Sequence, residues 1–157
     1  MLPRTEATTL TCTEWQNSEV GLSRWKDRHM GMVRMVSDAI QELFMDHYLH
    51  PRNFGPVEGP HFTGEAENRV CGDRITIHLV IEPISGRIEK AMFQGEACLI
   101  SIVSASVLTE RVKGRPRKEA GLLGQAELLD LLDAPLSPIR RDCALVPLNA
   151  LRNALRA

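Results

Sequence analysis

Between Asp73 and Gln94 the chain alternates apolar and polar residues twice, with turn formers between the two stretches, which restricts this segment to a β-hairpin. Ile75, Ile77, Leu79 and Ile81 fall on one side of the first stretch and Thr76 and His78 on the other, the period of a half-buried strand. Pro83, Ser85 and Gly86 mark the turn. Beyond it, Ile88, Lys90 and Met92 alternate with Glu89, Ala91 and Phe93. A short strand around Gly64 to Asn68 completes a three-stranded sheet.

After Gly95 the period changes. Ile100, Val103, Val107, Leu108 and Val112 recur at helical spacing with serines between them, which predicts a buried helix over about 99–112, ended by Gly114 and Pro116. Upstream, Asp38 and Gln41 have the spacing of a capping box, and Ile40, Leu43, Phe44 and Tyr48 share one face, so a first helix spans about 38–49. The run Pro51 to Pro56, with Gly59-Pro60 soon after, is loop. Leu122, Leu123, Leu128, Leu129, Leu131 and Leu132 indicate one or two further helices before Pro135 and Pro138. Ala144, Leu145, Leu148, Leu151 and Leu155 form a last helical stripe. Its Pro147 is expected in the first turn, because an interior proline removes a hydrogen bond and crowds the preceding turn. That expectation places Cys143 at the start of the last helix. A helix, three strands and then helices make an α+β fold, a three-stranded antiparallel sheet packed against helices. Residues 1–36 hold Thr-rich sequence, both tryptophans and Met30, Met32 and Met35 without a sustained period, and read as a mobile extension ahead of a domain at 37–157.

A chain of 157 residues is enough for one domain with its own core. A net charge of -1 lacks the basic excess of a nucleic-acid binder. No stretch approaches the ~20 apolar residues of a membrane span, and Met1-Leu2-Pro3-Arg4 lacks the apolar core of a signal peptide. The expected location is cytoplasmic. In that compartment the four cysteines, Cys12, Cys71, Cys98 and Cys143, are ligands or nucleophiles rather than disulfides. No Ser/His/Asp arrangement supports a hydrolase.

Cys71-Gly72-Asp73, Cys98 and Cys143 supply three thiols and a carboxylate, a candidate four-ligand metal site. Thiolates suit zinc or iron in a sulfide cluster, whereas the harder Asp oxygen is more easily displaced. Gly72 frees the backbone to turn both neighbouring side chains toward one ion, which residues next to each other on a strand cannot do. Cys98, where a strand hands over to a helix, and Cys143, at the expected helix start, are positions where the helix dipole lowers a thiol pKa. The ligands are scattered and form no CxxC pair. The competing reading of Cys98 and Cys143 as small buried hydrophobes leaves the Cys-Gly-Asp turn unexplained. His47, His50 and His61 are assigned surface or capping roles, His78, on the polar face of its strand, is the weakest ligand candidate, and Ser101, Ser104 and Ser106 have a packing role near Cys98.

Three segments carry a resemblance: Asp46-His47-Tyr48-Leu49-His50-Pro51-Arg52-Asn53-Phe54-Gly55, Asn68-Arg69-Val70-Cys71-Gly72-Asp73, and Phe93-Gln94-Gly95-Glu96-Ala97-Cys98-Leu99-Ile100-Ser101 with Ser104-Ala105-Ser106 behind it. In order and spacing they resemble the NifU/IscU/SufU-type iron-sulfur cluster assembly scaffolds, from Asp38 to the C-terminus. The resemblance implies a SufE/NifU-like fold, with Cys71, Asp73, Cys98 and Cys143 at the metal and cluster ligand positions. It implies a scaffold rather than a turnover enzyme. Such a scaffold receives sulfur from a cysteine desulfurase as a persulfide on Cys71, Cys98 or Cys143, binds iron, and passes a transient [2Fe-2S] cluster to acceptor proteins. Zinc is the alternative metal, in a SufU-type sulfurtransferase partner of the desulfurase. Asp73 is the ligand expected to tune release.

The chain departs from the family pattern in several places. IscU-type members carry a His directly before the third cysteine, where this chain has Asp142. SufU-type members also lack that His but carry an insertion between the second and third cysteines that is missing here. Arg69 replaces a family Pro and Ala97 a family Gly. Leu136-Ser137-Pro138-Ile139-Arg140 resembles the Leu-Pro-Pro-Val-Lys segment by which IscU-type scaffolds engage an Hsp70-type chaperone, although a proline-bearing lead into the last helix accounts for it as well. Homo-oligomerisation is compatible with the sequence.

Overall fold

In a computed structural model, which describes residues 38–59 and 61–157, the alternating stretches pair as an antiparallel sheet. The 1–36 extension, Cys12 and the side chains of the Asp38/Gln41 capping pair lie outside the described residues. Strands β1 (Phe62–Asn68), β2 (Asp73–Ile81) and β3 (Ile88–Glu96) follow one another in the order β1-β2-β3. Ile75, Ile77 and Leu79 of β2 are fully buried, as the period-two pattern requires.

Strand β3 departs from simple alternation. Val80 pairs with Lys90 and Ile81 with Ile88, so Glu89 is an extra residue in a bulge. The bulge shifts the facing by one residue. Ile88 and then Ala91 and Phe93 enter the core, while Lys90 is exposed and Met92 lies toward the other face. Ile88 therefore does not share a face with Lys90 and Met92.

Helix α1 (Asp38–Leu49) precedes the sheet, and α2 (Leu99–Val112), α3 (Arg117–Leu122), α4 (Gln125–Leu132) and α5 (Pro138–Arg156) follow it. The leucine-rich stretch is thus two short helices. The core lies between the sheet and the pair α2 and α5. Helix α5 covers β1 and β2, whereas α2 packs on α5, β3 and α1. Among the described residues no helix is long and apolar enough to cross a membrane.

Helix α5 begins earlier than its apolar stripe indicates. Ser137 is the N-cap and Pro138 the first residue, so Pro147 lies inside the helix rather than in its first turn. Proline has no N–H for the Cys143 carbonyl four residues back. Helix α2 supplies donors across the interface: Ser101 Oγ lies 2.8 Å from the Cys143 carbonyl oxygen and Ser104 Oγ donates to that of Ala144 at 2.6 Å. Ser101 and Ser104 are therefore hydrogen-bonding partners of the proline-bearing helix as well as small packing residues.

His47 ties α1 to α2. Ser106 Oγ accepts the Arg52 backbone N–H at 2.8 Å and is hydrogen-bonded to His47 Nδ1, also at 2.8 Å. The ring is buried, where a surface or capping role was expected, and burial, with the Arg52 charge beside it, holds its pKa below the ordinary 6.5. A depressed imidazole pKa contributes stability that is present above about pH 6.5 and lost as pH falls through the folded value, because only the unfolded chain takes up the proton readily. In thermal melts the midpoint of the wild type should fall relative to that of His47→Gln as pH drops below about 6.5. Parallel curves would contradict the neutral buried ring.

Candidate metal centre

Four segments converge at one end of the core. Cys71 lies in the turn between β1 and β2, Asp73 is the first residue of β2, Cys98 is the N-cap of α2, and Cys143 lies in the second turn of α5. The turn is closed by the Gly72 N–H donating to the Asn68 carbonyl at 2.8 Å and the Val70 N–H to Asn68 Oδ1 at 3.0 Å. Gly72 takes φ +73°, a conformation that side chains other than glycine's rarely adopt. It brings the exposed Cys71 and the buried Asp73 to the same place.

The Cys143 thiol lies 3.1 Å from Cys71 Sγ. Donor atoms of Cys71, Asp73 and Cys143 all fall within 4.8 Å of one another, close enough to share one ion. Cys98 borders this trio without belonging to it. Its Sγ is 3.8 Å from Ser101 Oγ, and its backbone N–H donates to Asp73 Oδ1 at 2.8 Å. Asp73 Oδ2 lies 2.8 Å from Ser101 Oγ, so both carboxylate oxygens rest on α2.

The thiol electrostatics differ from the sequence expectation. Burial pushes the Cys98 thiol up from its usual value, although Cys98 does occupy a helix N-terminus. Burial also pushes Cys143 up, and the hydrogen bond to Cys71 and the nearby Cys98 and Asp73 add to the effect. Cys143 is not at a helix start, so no dipole opposes the shift. Desolvation and crowding outweigh the dipole. Soft donors that cannot all ionise side by side fit a metal or cluster, whose positive charge replaces the protons.

The described histidines stay out of the donor group, and Asp142 is exposed beside Cys143 without joining it. His61 donates through Nδ1 to the Gly59 carbonyl, and His78 is held between Thr63 and Gln94. Arg69, in place of the family Pro, is exposed and pairs with Glu67 at 2.8 Å. An open cleft of about 640 Å³ reaches Asp73 between Arg69, Gly72, Gln94 and Glu96. Sequence reasoning assigned Ser101 only a packing role. The sign of its polar role was a serine three residues after a candidate ligand, facing a helix that contains a proline.

A family model described as the NifU-like N terminal domain matches residues 39–157. The iron-sulfur cluster assembly scaffold protein IscU of Haemophilus influenzae is 31% identical over 120 residues, covering 74% of this chain and 93% of that protein. The zinc-dependent sulfurtransferase SufU of Bacillus subtilis is 39% identical over 75 residues, 48% of this chain and 49% of that protein. The crystal structure of a nitrogen-fixing NifU-like protein (N-terminal) from Brucella abortus superposes with a TM-score of 0.57 at 17% identity, covering 76% of this chain and 91% of that one, a likeness of fold alone. With the three-stranded sheet, the Cys-Gly-Asp turn and the family model extending from α1 to the C-terminus, the chain belongs to the NifU-like N-terminal domain family.

Proposed function

We propose that this chain is a scaffold for iron-sulfur cluster assembly, which receives sulfur from a cysteine desulfurase and hands a [2Fe-2S] cluster to acceptor proteins. The observation that carries the reading is the meeting of Cys71, Asp73 and Cys143 within 4.8 Å, from three separate elements, with Cys98 at the border. A thiolate of Cys71, Cys98 or Cys143 attacks the outer sulfur of the desulfurase persulfide, and the desulfurase thiolate leaves. Cys71 is exposed for such an encounter, while Cys143 is buried. An external electron carrier supplies the two electrons that cleave each scaffold persulfide S–S bond, giving sulfide for the cluster and returning the thiolate. The thiolates then hold the iron, and Asp73 supplies an oxygen donor that an incoming acceptor thiolate displaces more easily than a sulfur.

A zinc-dependent sulfurtransferase role is the second reading, favoured by Asp142 at the position of the IscU-type His and by the likeness to SufU. In that role zinc orders the thiolates until the desulfurase docks. The exposed Ile139, within the Leu136–Arg140 segment, is where an Hsp70-type chaperone would bind. We place the protein in the cytoplasm on its reduced-cysteine chemistry.

Anaerobic reconstitution with ferrous iron and sulfide should give a visible-absorbing cluster on the wild type, lost in Cys71→Ser, Cys98→Ser and Cys143→Ser. A colourless wild type would contradict the scaffold reading. Zinc in protein purified without added metal, together with stimulation of a desulfurase by that zinc form, would favour the second reading.

A further inference from the structure

Ser101 is fully buried, and its hydroxyl faces two acceptors at once: Asp73 Oδ2 and the Cys143 carbonyl oxygen, each 2.8 Å away. A hydroxyl has one proton to give. The Cys143 carbonyl lacks its ordinary helical donor because Pro147 stands four residues on. The Asp73 carboxylate is held on its other oxygen by the Cys98 N–H. Ser104, one turn further along α2, serves the Ala144 carbonyl and has no such link to a ligand.

We propose that Ser101 is a positioning residue that sets how readily Asp73 leaves a bound metal. With Asp73 off the ion, the hydroxyl donates to Oδ2 and holds the carboxylate on α2. With Asp73 on the ion, the hydroxyl turns to the Cys143 carbonyl, in the residue that supplies a thiolate. A hydrogen bond to a carboxylate is stronger than one to a neutral carbonyl. Ser101 therefore favours the released state, and Pro147 keeps the alternative acceptor open.

This inference rests on the metal-binding reading of the site, and release kinetics test it with zinc as the probe. Zinc-loaded wild type, Ser101→Ala, Ser101→Thr and Pro147→Ala are each mixed with a chromophoric chelator and the release rate is followed. Ser101→Ala should release zinc roughly tenfold more slowly than wild type. Ser101→Thr, which keeps the hydroxyl, should stay near wild type. Pro147→Ala gives the Cys143 carbonyl an N–H donor, which weakens that carbonyl's competition for the hydroxyl and should speed release, a result readable even if Ser101→Ala fails to fold. In an Asp73→Ala background the effect of Ser101→Ala should vanish, as coupling through one carboxylate requires. A merely structural role for Ser101 predicts the opposite sign, faster release from a loosened site, and equal or faster release from Ser101→Ala overturns the proposal. A wild type that takes up no zinc would instead sink the metal-binding reading itself.

Discussion

Gly64→Ala should cost on the order of 3 kcal/mol of stability or more, with a matching fall in the urea midpoint. A Cβ on Gly64 would lie 2.0 Å from the Ala154 nitrogen and 2.2 Å from the Ala150 carbonyl oxygen. Both are backbone atoms of α5, so no side chain can swing aside. Ala150 and Ala154 are themselves fully buried, and Asn153 Nδ2 donates to the Glu65 carbonyl at 2.8 Å beside them. The helix lies directly on β1, and it can admit a methyl group only by lifting off. That displacement would carry Cys143 away from Cys71, so metal affinity should fall together with stability. An unchanged urea midpoint would mean that α5 is not seated on β1 as described.

Asp73→Ala should weaken the protein in two separable ways. In the metal-free protein it leaves the Cys98 N–H and the buried Ser101 hydroxyl without the carboxylate they face. Losing the acceptor of a buried donor costs about 1–3 kcal/mol, and the start of α2 also loses a favourable negative charge. In the metal-bound protein it removes the proposed oxygen ligand, which should cost more than the ~10–100-fold usual when only a ligand's hydrogen-bond partner is lost. Asp73→Asn separates the two effects. Its amide oxygen can still accept the Cys98 N–H, so chemical unfolding should return most of the stability, while zinc titration should show affinity falling nearly as far as in the alanine variant. Equal zinc affinity for wild type and both variants would remove Asp73 from the ligand set.

Local periodicity made much of this architecture legible. The bounds of α2, the facing of β2 and the order of elements depend on residues near one another in the chain, and they follow from the alternation in Asp73–Ile81 and the helical spacing in Leu99–Val112. The bulge at Glu89 was not legible, because a one-residue register shift is set by pairing with β2 rather than by β3 itself. Pro147 misled for a similar reason. Its position inside α5 leaves the Cys143 carbonyl without a helical donor, and the hydroxyl that faces that carbonyl belongs to Ser101, more than forty residues earlier. At the candidate site, Cys71, Asp73 and Cys143 were singled out by residue type and by their match to the family pattern, and the fold brings them together. The electrostatics were not legible, since a helix start can be recognised in sequence while the burial that outweighs its dipole at Cys98 cannot.

Cluster transfer separates a chain that builds a cluster in order to give it away from one that keeps it. The reconstituted protein is mixed anaerobically with a metal-free [2Fe-2S] ferredoxin in the presence of an iron chelator, and the circular dichroism of the ferredoxin cluster is followed with time. The ferredoxin spectrum should grow as the donor spectrum decays, at a rate the chelator leaves unchanged. A cluster that stays on the donor, or that reaches the ferredoxin only as free iron and is blocked by the chelator, would contradict it.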